Sequence, residues 1–258
     1  MLLEDFDESR KAVVEPELMV EKNPKLPEIA VTCFSGRTFH FMREALNAEP
    51  FSEMDGKLLA GRIYIANYRD ERFLLYRSPM GAPACVAALE ELYAMGVIKT
   101  VMFGSCGVLD ADISEYSVII PTAALRDEGT SYHYAPPSDE IEVNPLYINE
   151  FEKLLKDRGF PYMKGKTWTT DAVFRETQRK LVLRKSQGCV CVDMECSAAA
   201  AVTAFRGKEL FHFFYAADVL SDEAWDMRNI GEKGHHKIRT EISMLALELA
   251  LCMKKGTI

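Results

Sequence analysis

From residue 29 to about residue 217 the chain alternates short apolar runs with segments of helical spacing. A lone strand or amphipathic helix has nothing to bury its apolar face against. The alternation therefore dictates an α/β fold, with a largely parallel or mixed sheet covered by helices on both faces. Ile29 to Phe34 reads as a buried strand and Thr38 to Asn47 as a helix. Arg62 to Tyr68 and Arg72 to Arg77 read as a hairpin around the polar Arg69-Asp70-Glu71. Val86, Leu89, Leu92 and Tyr93 repeat at helical spacing within Ala84 to Met95, and Gly96 stands where a C′ glycine ends a helix. Thr100 to Phe103 predicts a short strand running into a Gly-rich turn, Ser117 to Pro121 a strand, and Asn149 to Arg158 a helix. Cys189 to Val192 and Leu210 to Ala217 predict strands on either side of an Ala-rich helix, Cys196 to Phe205. In such sheets ligands bind in loops beyond the carboxyl ends of the strands.

No repeat, low-complexity tract or Pro/Ser-rich linker divides the chain, which predicts one domain over residues 28–258 behind a charged N-terminal arm, residues 1–27. With 258 residues, 48% hydrophobic, it can bury a single sizeable core. A net charge of −8 argues against nucleic acid as a partner, whereas a small anion is compatible with a local cluster of Arg. No apolar run approaches the roughly 20 residues that span a bilayer. Met1-Leu2-Leu3-Glu4-Asp5 lacks the features of a secretory signal, so a cytoplasmic protein without membrane contact is expected. Seven Cys, an odd number mostly in apolar segments, suit buried reduced thiols. The spacing of Cys189, Cys191 and Cys196 is not that of a zinc site, and no metal is expected. His235-His236 reads as a solvated loop.

Three segments fall at predicted strand ends. The glycines of Gly104-Ser105-Cys106-Gly107 let backbone N–H groups approach a ligand, and Ser105 adds a hydroxyl. The same spacing suits a plain turn, and it is neither a P-loop nor the dinucleotide glycine pattern. Asp193-Met194-Glu195 stands where a strand hands over to the Ala-rich helix. Its carboxylates either cap that helix or, for Glu195, face the crevice and hold a sugar hydroxyl. Asp218 ends the apolar run Tyr215-Ala216-Ala217, as a cap or as a proton donor whose pKa burial raises. His133 reads as a loop or packing histidine, and Trp225-Asp226 as a loop over a pocket.

In this order and spacing the three segments resemble the nucleoside phosphorylases, the family of uridine phosphorylase, bacterial purine nucleoside phosphorylase and methylthioadenosine nucleosidase. Ser78-Pro79-Met80-Gly81-Ala82-Pro83 and Arg126-Asp127-Glu128-Gly129-Thr130-Ser131 extend the likeness, which runs from about residue 29 to 250. The resemblance implies a single-domain, three-layer α/β/α fold with a central mixed, partly barrel-like sheet. It implies a pentosyltransferase that cleaves a nucleoside with phosphate to free base and ribose 1-phosphate, using no organic cofactor. Met194 and Glu195 would hold the ribose, with Asp193 beside them, and Cys106 and Gly107 would line the pocket. Ser105 would touch the nucleophile and Arg37 would bind phosphate. Phe174 or Val173 would stack near the base, Arg179 would contact uracil, and Asp218 would protonate the leaving base. Relatives form homodimers or hexamers of dimers with sites completed across the interface, so a homo-oligomer is expected. These residue types suit the reaction, because cleavage develops oxocarbenium-like charge on the ribose and negative charge on the base.

The chain departs from the family at two phosphate positions. Met102 stands where the phosphorylases place an Arg, and Thr32-Cys33-Phe34-Ser35 replaces their Pro-Gly-Asp-Pro. Lys57 or Arg62 of a neighbouring subunit is a candidate replacement. Arg179 and Gly129-Thr130-Ser131 favour uridine, Asp218 favours a purine, and Thr177 replaces a Gln of the uridine enzymes. Uridine phosphorolysis is the favoured reading; purine phosphorolysis, hydrolysis and nucleoside binding with weak catalysis are the alternatives.

Overall fold

The computed structural model describes residues 2–51, 59–221, 225–228 and 236–256. After an arm with two 3-10 turns, Leu2–Glu4 and Pro16–Leu18, the chain enters β1 (Ile29–Cys33), buried at every position. The Ser35 side chain accepts a hydrogen bond from the Thr38 amide, a side-chain cap that starts α1 (Gly36–Ala45). β2 (Glu49–Pro50) precedes the hairpin of β3 (Tyr64–Tyr68) and β4 (Glu71–Arg77). Arg69 and Asp70 take φ values of 49° and 65°, the paired positive φ that a two-residue hairpin turn of matching twist requires. α2 (Ala82–Met95) ends at Gly96, whose φ of 116° is open to glycine alone at low cost.

Next come β5 (Lys99–Val108), β6 (Val118–Asp127), β7 (Glu140–Glu142), α3 (Ile148–Arg158) and β8 (Tyr162–Thr170). The chain closes with α4 (Gln178–Ser186), β9 (Cys189–Asp193), α5 (Cys196–Arg206), β10 (Glu209–Leu220), β11 (Trp225–Asp226) and α6 (His236–Lys255). All strands join one mixed sheet in the order β11-β10-β6-β8-β9-β5-β1-β4-β3-β2, with β7 on β6 and an added β10–β5 pairing. That pairing brings β5, β10, β6, β8 and β9 round upon one another. The β10–β6 and β5–β9 contacts are only two residue pairs each, so this section is partly barrel-like, while β1, β4, β3 and β2 continue the sheet outward from β5.

The two-residue period of the strands sorts the core into layers. Val31, Leu75 and Phe103 pack against Phe39 and Met42 of α1, Phe151 of α3 and Leu245 of α6. Their neighbours Ala30, Leu74 and Met102 face Leu89 of α2 and Val202 of α5 on the other side. Strands buried on both faces are what near-continuous apolar runs require. Among the described residues no helix is long and apolar enough to cross a membrane.

Two strands run further than their apolar stretches suggest, and both differences shape the site. Gly104-Ser105-Cys106-Gly107 is no turn; β5 continues through it to Val108. Its glycines answer close packing: a Cβ on Gly104 would lie 2.8 Å from the Phe34 ring, and one on Gly107 2.4 Å from Leu220. β10 likewise continues past Asp218 to Leu220, with a register shift between Ala216 and Asp218. Such a bulge re-aims side chains where two strands pass a pocket. Trp225 and Asp226 form a short strand on the end of β10 rather than a loop.

Candidate active site

The handover from β9 to α5 decides between capping and ligand roles for its two acids. Asp193 is the cap. Its Oδ2 accepts from the amides of Glu195 (2.8 Å) and Cys196 (2.6 Å), and its Oδ1 from the hydroxyls of Thr167 (3.0 Å) and Thr169 (2.8 Å). Burial still wins over these four donors and pushes the Asp193 carboxyl up to about 6. With the helix end satisfied, the Glu195 side chain makes no cap bond and turns away to accept the Gly81 amide at 2.6 Å. Burial, followed by the charge of Asp193, pushes Glu195 up to about 8.

Glu195 faces a cavity of about 190 Å³. Ser105, Cys106 and Gly107 line it from β5, Asp193, Met194 and Glu195 from the end of β9, and Asp218 and Leu220 from β10. Phe34, Met80, Val173 and Glu176 complete much of the wall. Residues more than one hundred positions apart thus meet because β5 lies between β9 and β10 in the sheet. The Cys106 thiol is buried and held well above its ordinary pKa by desolvation, so it is a wall and not a nucleophile. Asp218 Oδ2 accepts the Trp225 indole N–H at 2.7 Å, which fixes the carboxylate at the cavity edge.

Glu176 carries no motif and sequence reasoning missed it. It follows the 3-10 turn Val173–Arg175, just before Thr177, whose hydroxyl accepts from the Lys180 amide to cap α4. Burial first, then the charge of Asp218, pushes its carboxyl up to about 7, with Lys180 acting in the opposite sense. Leu220 was also unmarked, and Phe34 and Met80, though within segments compared with the family, had been given no role in the site.

Several predicted residues lie elsewhere. The Phe174 side chain is 96% exposed and does not line the cavity, whereas its neighbour Val173 does, because the tight 3-10 turn directs consecutive side chains apart. Arg179 is exposed on the first turn of α4, outside the cavity. Arg37 sits on the first turn of α1, and Met102 is fully buried in the apolar layer beneath α2. His133 is exposed at the end of a 3-10 turn. The Arg126–Ser131 segment is a structural knot. Arg126 donates to Ser131 and to Pro136 O, while Glu128 accepts from the Ser131 amide and the Ser197 hydroxyl of α5. Lys57 and His235 lie outside the described residues. Another unmarked residue, His212, is fully buried between Phe34 and Phe214, and burial pushes its pKa down to about 3, so it stays neutral.

The six buried cysteines are free, as is the exposed Cys252, and among the described residues no group of three His, Cys, Asp or Glu is placed to hold a metal. A second cavity, about 410 Å³, opens beside the first, between α1 and the β3–β4 hairpin.

A family model for the phosphorylase superfamily matches residues 28–246. The chain belongs to the phosphorylase superfamily. An uncharacterized protein of Acanthamoeba polyphaga mimivirus is 24% identical over 228 residues, 84% of this chain and 87% of that protein. Guanosine phosphorylase of Halorubrum lacusprofundi is 26% identical over 148 residues, 57% of this chain and 61% of its own length. The crystal structure of uridine phosphorylase from Vibrio fischeri superposes with a TM-score of 0.76 at 18% identity, covering 94% of this chain and 99% of that one. At that identity the likeness is one of fold. It agrees with the three-layer, partly barrel-like sheet of this phosphorylase superfamily member.

Proposed function

We propose that this chain cleaves the N-glycosidic bond of a nucleoside by phosphorolysis, releasing free base and ribose 1-phosphate. One observation carries the reading: a single cavity gathers Glu195, Met194, Ser105, Asp218 and Glu176. The Glu195 carboxyl hydrogen-bonds the ribose hydroxyls while Met194 packs on the sugar. A phosphate oxygen beside Ser105 attacks the anomeric carbon, and the electron pair of the broken bond passes to the base. The base takes a proton from the acid pair. No organic cofactor enters this chemistry.

The side chains that line the cavity support a purine ahead of uridine. The uracil preference rested on Arg179, which is exposed outside it, and on Gly129-Thr130-Ser131, whose Ser131 is taken up in hydrogen bonds with Arg126 and Glu128. A neutral carboxyl suits the imidazole nitrogen of a purine, which accepts a proton as the bond breaks. Hydrolysis is the second reading, favoured by the Phe34 ring against Gly104 and by Met102 in the apolar core.

The test is base release from inosine and uridine with and without phosphate. Phosphate-dependent release of hypoxanthine ahead of uracil is the expected result. Uracil ahead of hypoxanthine would reverse the base assignment, release without phosphate would establish hydrolysis, and no release from either would remove the reading.

Proton donation also predicts a pH profile. The proton is assigned to Glu176, whose carboxyl is pushed up to about 7 by burial and then by the charge of Asp218. The active form is protonated, so kcat is expected to fall as pH rises through about 7. Glu176→Gln, which cannot lose a proton, is expected to abolish that limb; a limb unchanged in the variant would return the role to Asp218.

A further inference from the structure

The Arg126–Ser131 segment lines no part of the nucleoside cavity, yet it bonds to elements on both sides of it. Glu128 directly follows the end of β6 and is only 4% exposed. Its Oε2 accepts the Ser131 amide at 2.9 Å, and its Oε1 accepts the Ser197 hydroxyl of α5, also at 2.9 Å. Arg126, inside β6, holds Ser131 in turn by donating from Nε to its hydroxyl at 2.8 Å. The next residue, Gly129, donates its amide to Asp171 Oδ2 at 3.0 Å, just ahead of the turn that leads through Val173 to Glu176. Consecutive residues of one loop thus tie the Glu195 side of the cavity to the Glu176 side.

A buried carboxyl at this place calls for a reason, because an apolar side chain would fill it without the cost of desolvating a polar group. The reason lies in α5. Its buried residues include Ala198, Ala199 and Ala201, small side chains that lack the ridges by which one helix keys into another. Apolar burial is non-directional and does little to fix where such a helix starts. Hydrogen bonds are directional, and they converge on its first turn from three adjacent strands. Asp193 of β9 accepts the Glu195 and Cys196 amides, Thr169 Oγ1 of β8 accepts the Ser197 amide at 3.1 Å, and Glu128 beyond β6 takes the Ser197 side chain. Ser197 stands two residues after Glu195, so a shift of this turn moves the Glu195 carboxyl off the Gly81 amide and across the cavity. A group that acts on a ligand must be held to within about 0.5 Å.

We propose that Glu128 is a positioning residue: by gripping Ser197 from the anchored Ser131 loop, it holds the first turn of α5 so that Glu195 meets the ribose hydroxyls. This rests on the reading of Glu195 as the ribose-binding group. Glu128 touches no substrate and acts through Ser197 alone.

The test is the discrimination between a ribonucleoside and its 2′,3′-dideoxy analogue, measured by calorimetry. Inosine and uridine, each with that analogue, are titrated into the wild-type chain, Glu128→Ala, Ser197→Ala and Glu128→Gln. Wild type is expected to bind the ribonucleoside at least about tenfold more tightly than the analogue, the scale of a hydrogen bond to a charged or buried partner. Glu128→Ala and Ser197→Ala bring that ratio close to one by weakening the ribonucleoside while leaving the analogue unchanged. Glu128→Gln keeps the ratio, because its amide oxygen accepts from Ser131 and its amide nitrogen donates to the Ser197 hydroxyl. A merely structural contact would change stability, or all affinities together, and leave the ratio where it was. Ser197→Ala spares the Ser131 bond and serves as the test if Glu128→Ala does not fold. A wild-type ratio retained in the folded Ala variants would overturn the role of Glu128 and leave that of Glu195 intact. Wild type that binds ribonucleoside and analogue alike, or binds neither, would remove Glu195 as the ribose-binding group and the proposal with it. Calorimetry needs no turnover, so the result stands whether base release is phosphorolytic or hydrolytic.

Discussion

Glu195→Ala is expected to lower kcat/KM for the nucleoside about 10²–10³-fold, the scale on which removing one preorganised electrostatic partner of a transition state is felt. The carboxyl group is buried at the cavity wall, where its hydrogen bonds to the ribose hydroxyls are little screened. The cost to the fold is small by comparison, because the amides the substitution frees, those of Gly81 and Met194, lie beside the cavity and are not fully buried. Steady-state kinetics with thermal unfolding as a control separates the two effects. A kcat/KM equal to that of the wild type would show that Glu195 does not hold the ribose. Glu195→Gln keeps the size and one acceptor, and should fall between wild type and Ala.

Asp193→Ala is expected to act on stability instead, with a loss of about 3–5 kcal/mol, from 1–3 kcal/mol for each buried donor left without an acceptor. Two of its four donors are backbone amides that cannot rotate away, and a methyl group offers them nothing. The two threonine hydroxyls can turn to other acceptors, and Thr167 already stands 3.4 Å from Cys191 O. Asp193→Asn retains one oxygen and should cost less. Urea unfolding measures both, and a loss below about 1 kcal/mol for Ala would mean that water or a shifted backbone satisfies the amides. Whatever remains folded should bind nucleoside poorly, since the cap sets the turn that aims Glu195.

The two acids show where sequence reasoning stops. Their spacing at a strand-to-helix junction allowed either to cap α5, and the choice fell to Thr167 and Thr169 of β8. That strand was not predicted, because the first half of Tyr162–Thr170 is only partly buried and reads as polar. These threonines stand on the strand paired with β9 and draw Asp193 inward, which leaves Glu195 for the cavity. Arg179 and Phe174 failed to reach the cavity for a related reason. Motif spacing gives their place in the chain, but the 3-10 turn and the capped start of α4 set their direction.

By itself the sequence determined the α/β class, most of the strands and helices near the sheet centre, and the set Ser105, Cys106, Gly107, Met194, Glu195 and Asp218. These were legible because periodicity, caps and short motifs are local, and local patterns survive without knowledge of what packs beside them. The tertiary structure alone decided that the Gly-Ser-Cys-Gly segment is strand and that Glu176 and Asp218 line one cavity. Each of these depends on which strand lies next to which. A glycine is tolerated in β5 because Phe34 and Leu220 fill its side-chain space, and the Glu176 carboxyl is pushed up because the fold buries it and then sets it near the charge of Asp218, 42 positions on.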